Sequence, residues 1–191
     1  MAYTPRLNDN GIRTSFHWYS NQNPYYATGY GMPNCTAYAW GRFWEVGDPN
    51  NAGINKPDPT ELPGYYDGGA WWNRVDRSVY QTGQTPELGA VICFSDNNGG
   101  SGHVAIVEVI NNDGTIVTSN SAYGGTFFYT QTLSSSNNYA WSHYTCQGSI
   151  YNPYGDSPVP PTSRRDHFPW VLYGRKFRER RTRWLFYINM I

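Results

Sequence analysis

Apolar positions along this chain change their spacing part-way, and the change divides it. Between Cys35 and Val46 they fall on a helical surface dense in rings: Tyr38, Trp40, Phe43 and Trp44. Asn34 is a good N-cap for that segment, and Gly47 followed by Asp48-Pro49 ends it, so a helix is predicted over 35–46. Gly41 inside it costs about 1 kcal/mol against alanine; the helix must therefore rely on packing of its aromatic surface. Further on, the spacing becomes that of strands. Pro86-Glu87-Leu88-Gly89 is a turn feeding the short apolar run Ala90–Phe94, a buried strand with Cys93 in the core. Gly102–Ile110 predicts a second strand, Asn111-Asn112-Asp113-Gly114 a hairpin turn, and Thr115–Tyr123 a third. Shorter strands are expected around 126–132 and 144–150. Residues 1–34 read as loop and short helix, and 48–68 as an irregular connection. Gly69–Arg74 reads as a short helix or turn whose Trp71-Trp72 pair anchors packing.

The hairpin allows a geometric inference. With 111–114 as a four-residue loop, Ile110 pairs with Thr115 and Ala105 with Asn120. His103, Ala105 and Val107 share a face, and cross-strand partners lie on the same face. Asn120 then sits one diagonal step, roughly 7–8 Å, from His103. A two-residue Asp113-Gly114 turn keeps that parity, whereas an odd loop reverses it. Asn120 is thus a candidate to orient the His103 ring, and Glu108, on the opposite face, is not.

Cys35 occupies the first helical position, where the helix dipole favours thiolate and hence nucleophilicity. A thiolate nucleophile needs a base, and the base needs an orienting partner. His17 lies in a polar stretch, His143 at a strand edge and His167 near the end of the chain. His103 differs, because it opens an apolar strand directly after Gly102. On the residues alone a buried structural thiol remains the simpler reading of Cys35, since free cysteine is among the most buried residue types.

Composition adds three points. The net charge of zero conceals an asymmetry: residues 161–191 hold eight basic and two acidic side chains (+6), and residues 1–160 hold six and twelve (−6). Ser157-Pro158-Val159-Pro160-Pro161-Thr162 is a Pro-rich linker, so the expected organisation is a domain at 1–155 followed by a linker and basic, aromatic tail at 156–191. Three cysteines cannot close a disulfide framework. With no apolar leader and no membrane-length run, the chain reads as soluble and made in a cytoplasm.

The order of a cysteine at a helix start, a Gly-His opening a strand and a polar residue on the next strand resembles CHAP domains, the cysteine, histidine-dependent amidohydrolases/peptidases. Asn34–Arg42 is similar to the family's nucleophile motif, Gly69-Ala70 with Trp72 to its Gly-x-Ala…Trp segment, Pro86–Phe94 to its Pro-x-x-Gly-Asp-Val-Val strand, and Gly102–Val107 to its histidine motif. The resemblance covers about residues 20–152. It implies an α+β, papain-like fold with N-terminal helices packed on a central antiparallel sheet. It also implies Cys35 as nucleophile, His103 as general base and then acid, and Asn120 as orienting residue. The family often carries Glu at this last position, with Asp or Asn in other members; Asn120 adds no negative charge. Some phage members bind calcium through Asp-rich loops before the cysteine. Asn21–Asn34 holds no acidic residue, so no metal and no cofactor is expected.

The implied activity is cleavage of an amide bond in bacterial peptidoglycan, Gram-positive walls being favoured. The bond is that of an N-acetylmuramoyl-L-alanine amidase or a D-Ala-Gly type endopeptidase, in a phage lysin that a holin releases or a virion carries to the wall. No nucleic-acid partner is expected, and the tail suits an anionic wall polymer or membrane surface. The rival reading is a non-catalytic wall-binding or virion structural module on the same fold.

Overall fold

The expected helix forms, as α2, over Cys35–Val46 in a computed structural model that describes residues 3–10, 12, 17–47 and 62–155. The connection 48–61, the Pro-rich linker and the basic tail lie outside the described residues. Asn34 has extended backbone and caps the helix. Its Oδ1 accepts from the Thr36 amide at 3.0 Å and the Thr36 hydroxyl at 2.8 Å, while its Nδ2 donates to the Tyr30 carbonyl at 3.0 Å. Such a cap is worth about 1 kcal/mol.

The residues before α2 wrap it. Asn23 caps the short helix α1 (Pro24–Ala27) and donates to the carbonyls of Trp18 and Ala37, both at 2.8 Å. Trp18 meets Trp40 and Trp44 with ring centroids 6.0 and 6.1 Å apart. This packing explains Gly41. A Cβ there would lie 2.6 Å from the Trp18 carbonyl oxygen, so the helix forgoes its alanine to let the 3-10 turn His17–Tyr19 lie directly on it. The tandem tryptophans divide their work: Trp71, in α3 (Trp71–Arg74), is fully buried and donates from Nε1 to the Tyr25 hydroxyl at 3.1 Å, whereas Trp72 is only partly covered.

Six strands form one antiparallel sheet: β1 (Thr82–Gly83), β2 (Val91–Asp96), β3 (His103–Ile110), β4 (Thr115–Asn120), β5 (Tyr129–Ser134) and β6 (Tyr144–Ile150), in the order β1-β6-β2-β3-β4-β5. Strand alternation sends Val91, Cys93, Val104, Ile106 and Ile150 toward α2, and Ile92, Phe94, Ala105, Val107, Ile116 and Leu133 into a second core on the other face. Both faces are covered, which is why β2 reads as an unbroken apolar run. This is the α+β fold expected, with the helices before the strands and against one face of the sheet. Two strand bounds differ from expectation: β4 stops at Asn120 rather than Tyr123, and β5 starts at Tyr129 rather than near Thr126.

The hairpin register departs from the expected one and then returns to it. Ile110 pairs with Ile116 and Val109 with Val117, one residue off, so the loop is odd. A β-bulge between Val107 and Val109 absorbs the extra residue, and beyond it Val107 pairs with Thr118 and Ile106 with Ser119, the expected register. Glu108 is the bulged residue and is fully buried. Arg42 of α2 holds it with two hydrogen bonds, Nε to Oε1 at 2.9 Å and Nη2 to Oε2 at 3.0 Å. The Tyr3 hydroxyl (2.5 Å), the Arg6 amide (2.8 Å) and the Ser119 hydroxyl (2.7 Å) also donate to it. Glu45, one turn after Arg42, accepts from the Tyr19 hydroxyl at 2.6 Å and pairs with the Arg6 guanidinium. Residues 3–6 are therefore bound to α2 and β3 through buried charge.

Candidate active site

Three elements converge where α2 begins. The 3-10 turn Gly68–Ala70 lies against the start of β3: the Gly69 amide donates to the Ser101 carbonyl at 2.8 Å, and a Cβ on Gly68 would come within 3.0 Å of the His103 Cα. Gly102 has a φ of +68°, and a Cβ there would stand 2.5 Å from the Phe94 carbonyl oxygen. Only glycine fits a left-handed residue pressed between two backbones. That is the physical reason for the Gly-His opening of β3.

Cys35 is half-buried at the start of α2. Burial acts most strongly on the thiol pKa and raises it, while backbone hydrogen bonding from Val104, Thr36 and Cys35 itself lowers it. The sulfur thus lies beside the peptide that joins His103 to Val104. His103 is 5% exposed and Asn120 1% exposed. Their side chains meet, with Nε2 of His103 3.0 Å from Oδ1 of Asn120. Asn120 Nδ2 donates to the Thr118 carbonyl (3.1 Å) and hydroxyl (3.0 Å), which turns Oδ1 toward the imidazole. Oδ1 can only accept, so Nε2 carries the hydrogen and Nδ1 is left as the basic nitrogen. Among the described residues none hydrogen-bonds to Nδ1.

The sequence does not disclose what encloses the histidine. Phe94, Trp141 and Tyr144 surround its ring, with centroids 6.2, 5.7 and 5.7 Å away, Trp141 edge-on. Trp141 comes from the connection between β5 and β6, where Asn138, Tyr139 and Ser142 all have positive φ, and Tyr144 opens β6. Nothing in the local pattern around 135–144 marks that role. Of the remaining histidines, His143 is half-buried, 3.6 Å from Asp96 and tilted against Tyr144; His17 lies in the 3-10 turn at 17–19; and His167 is outside the described residues. Among the described residues no cluster of three or more His, Cys, Asp or Glu could hold a metal, and no helix is long and apolar enough to cross a membrane.

One expectation needs correction. Burial outweighs the helix-start amides at Cys35 and pushes the thiol up to about 11, with the carboxylate of Asp67 adding to the rise. Burial likewise pushes His103 below its usual 6.5, while the Asn120 hydrogen bond pulls it back up. Burial thus disfavours the charged form of each group, against the lowering of the thiol that the helix start alone would give. The sign for activity follows. Neutral imidazole is the form that accepts a proton, and it is lost only as pH falls through the depressed histidine pKa. The acid limb of kcat/KM should lie below pH 6.5. In Asn120→Ala, which lacks the raising hydrogen bond, the limb should move lower still. A pH–rate profile of both proteins checks this, and a limb above 6.5 in the wild type would contradict the buried, neutral ring.

Comparison with known proteins bears on this geometry. The CHAP domain profile matches residues 25–122, which takes in Cys35, His103 and Asn120. The chain belongs to the CHAP domain family. Over 56 residues this CHAP protein is 38% identical to a protein of Streptococcus mutans serotype c described as a hydrolase, covering 29% of this chain and 26% of that protein. Among solved structures it is similar to an N-acetylmuramoyl-L-alanine amidase from Staphylococcus aureus (27% identity, TM-score 0.46, 66% of this chain and 32% of that one). It is also similar to Ly7917 (15% identity, TM-score 0.45, 65% and 55%). The chain therefore spans about a quarter of the curated relative, a third of the amidase and half of Ly7917.

Proposed function

We propose that this CHAP domain hydrolyses an amide bond of bacterial peptidoglycan, with Cys35 as nucleophile, His103 as base and acid, and Asn120 as the residue that orients the ring. The observation that carries the reading is the 3.0 Å contact between His103 Nε2 and Asn120 Oδ1, in a domain that also holds a thiol at a helix start. In this scheme His103 Nδ1 takes the thiol proton as sulfur attacks the amide carbonyl. The Cys35 backbone amide donates to the developing oxyanion. Nδ1 then protonates the leaving amine and the C–N bond breaks, leaving a thioester. Water attacks the thioester, His103 takes its proton, and the C–S bond breaks to return the thiol.

The bond we favour is that of an N-acetylmuramoyl-L-alanine amidase, which requires no particular crossbridge, over a D-Ala-Gly type endopeptidase. The wider assignment is a phage lysin, released by a holin or carried in the virion, whose domain at 1–155 is joined to a basic targeting tail.

Digestion of purified Gram-positive walls by the wild type and by Cys35→Ala tests the reading. Loss of turbidity in the wild type alone, with new termini read by mass spectrometry, is the expected result and names the bond. Equal wall binding by both without released fragments would instead favour a non-catalytic binding module.

A further inference from the structure

Two tyrosines come from the segments that lead into Cys35 and out of Asn120, and neither ring is used by the core or by the chemistry above. Tyr30 lies in the loop before α2, and its carbonyl is the acceptor for Asn34, the residue that caps the nucleophile helix. Tyr123 lies in the turn after β4, three residues beyond Asn120. Their rings meet, with centroids 5.8 Å apart and tilted by 40°. Both nonetheless stay open to solvent, at 53% and 68% exposure. Glycines flank both, in Gly29-Tyr30-Gly31 and Tyr123-Gly124-Gly125, so the two rings stand clear of bulky neighbours in sequence.

Large apolar ring faces left in water beside a reactive group are most useful when a ligand covers them. The chemistry of the two loops narrows what that ligand is. Residues 21–34 and 120–128 contain no Asp, Glu, Lys or Arg. A peptide stem carrying free carboxylates and amines would be better met by opposite charge. A neutral pyranose suits this surface: its C–H face lies on an aromatic ring, while its hydroxyl and acetamido groups point outward to water or to the phenol edges.

We propose that Tyr30 and Tyr123 form a saccharide subsite that stacks a neutral N-acetylhexosamine ring of the glycan strand next to the scissile amide. The subsite rests on the peptidoglycan reading given above, and it makes the glycan a determinant of where this domain acts. The amide is presented to Cys35 by holding the sugar beside it, rather than through recognition of the stem peptide alone.

The test measures binding and requires no turnover. The full chain carrying Cys35→Ala is titrated with a linear tetramer of N-acetylglucosamine by calorimetry or NMR. Alongside it, the same chain is titrated carrying Tyr30→Ala, Tyr123→Ala, Tyr30→Phe or Tyr123→Phe. Each alanine variant should weaken Kd by about tenfold, and each phenylalanine variant, which keeps the ring, should remain within about twofold. Unchanged affinity in the alanine variants, or no binding by the parent, would overturn the proposal. Equal losses in the phenylalanine variants would also overturn it, since the hydroxyl and not the ring face would then hold the ligand. A sugar-free stem peptide is titrated in parallel; loss of its binding in the alanine variants, with the tetramer unaffected, assigns the rings to the peptide and rejects the subsite. The two readings fail separately. Tyrosine-dependent tetramer binding without wall cleavage removes only the hydrolase, and wall cleavage without tyrosine-dependent binding removes only the subsite.

Discussion

His103→Ala is expected to lower kcat/KM on purified peptidoglycan by roughly 10³–10⁴-fold, with a smaller loss for Asn120→Ala. The asymmetry follows from what each side chain does in the proposed mechanism. Nδ1 of His103 moves a proton in every step, from the thiol, to the leaving amine, and from water. Asn120 moves none, and only fixes which nitrogen carries the hydrogen through the 3.0 Å bond to Nε2. Because burial holds the thiol pKa up to about 11, little thiolate exists at neutral pH without a proton acceptor. The base is therefore needed for the attack itself and not only for release of the amine. The ring also fills space between Phe94, Trp141 and Tyr144, so its removal costs packing as well. Added imidazole separates the two effects: partial recovery of fragment release in His103→Ala marks a chemical role. A folded variant that is inactive and not rescued, or one that retains activity, would count against His103 as base.

The largest effect on stability is expected at Glu108→Ala, at about 3–5 kcal/mol, because it strands the Arg42 guanidinium in the interior. Arg42 is 5% exposed, and its Nε and Nη2 both donate to Glu108. Its remaining contacts, to Glu45 at 3.3 Å, the Tyr3 hydroxyl at 3.4 Å and the Thr4 carbonyl at 2.7 Å, do not replace a carboxylate held at two points. Replacing both partners with apolar residues, Arg42→Met with Glu108→Leu, should cost less than the single change, since no lone charge is then left buried. Urea denaturation of the two single variants and the double closes the cycle. If Glu108→Ala costs under about 1 kcal/mol, the network is not what secures the bulge.

The hairpin shows how far the chain could be read from its residues. Period-two alternation and a recognisable turn were enough to set Asn120 on the face of His103, and the two side chains meet there. The register at the turn itself was misjudged by one residue, and the face came out as expected only because the bulge at Glu108 compensates. A bulge leaves no trace in an alternation of apolar residues when both faces of the strand are buried. The sequence places Glu108 only on the face opposite His103, because its partners Tyr3, Arg6 and Arg42 lie far away in sequence and are joined to it only by the fold. Distance in sequence also hid Trp141 and Tyr144 from any reading of the histidine. Asn34 and Gly41 stand at the other extreme. The cap needs only its own helix and could be read directly, while the glycine announced a cost whose cause, the Trp18 carbonyl, became visible only once the 3-10 turn His17–Tyr19 and the helix were packed together.

The clasp of residues 3–6 on Glu108 imposes a schedule on biosynthesis. Tyr3 and its acceptor are separated by 105 positions. At a synthesis rate of about 5–20 residues per second, the leading segment leaves the ribosome roughly 5–20 s before the carboxylate that will bind it has been made. During that interval Arg42 has no Glu108 to neutralise it, so α2 cannot be sealed against water. The clasp stays open until β3 has emerged, and its closure then joins residues 3–6 to a strand from the middle of the chain.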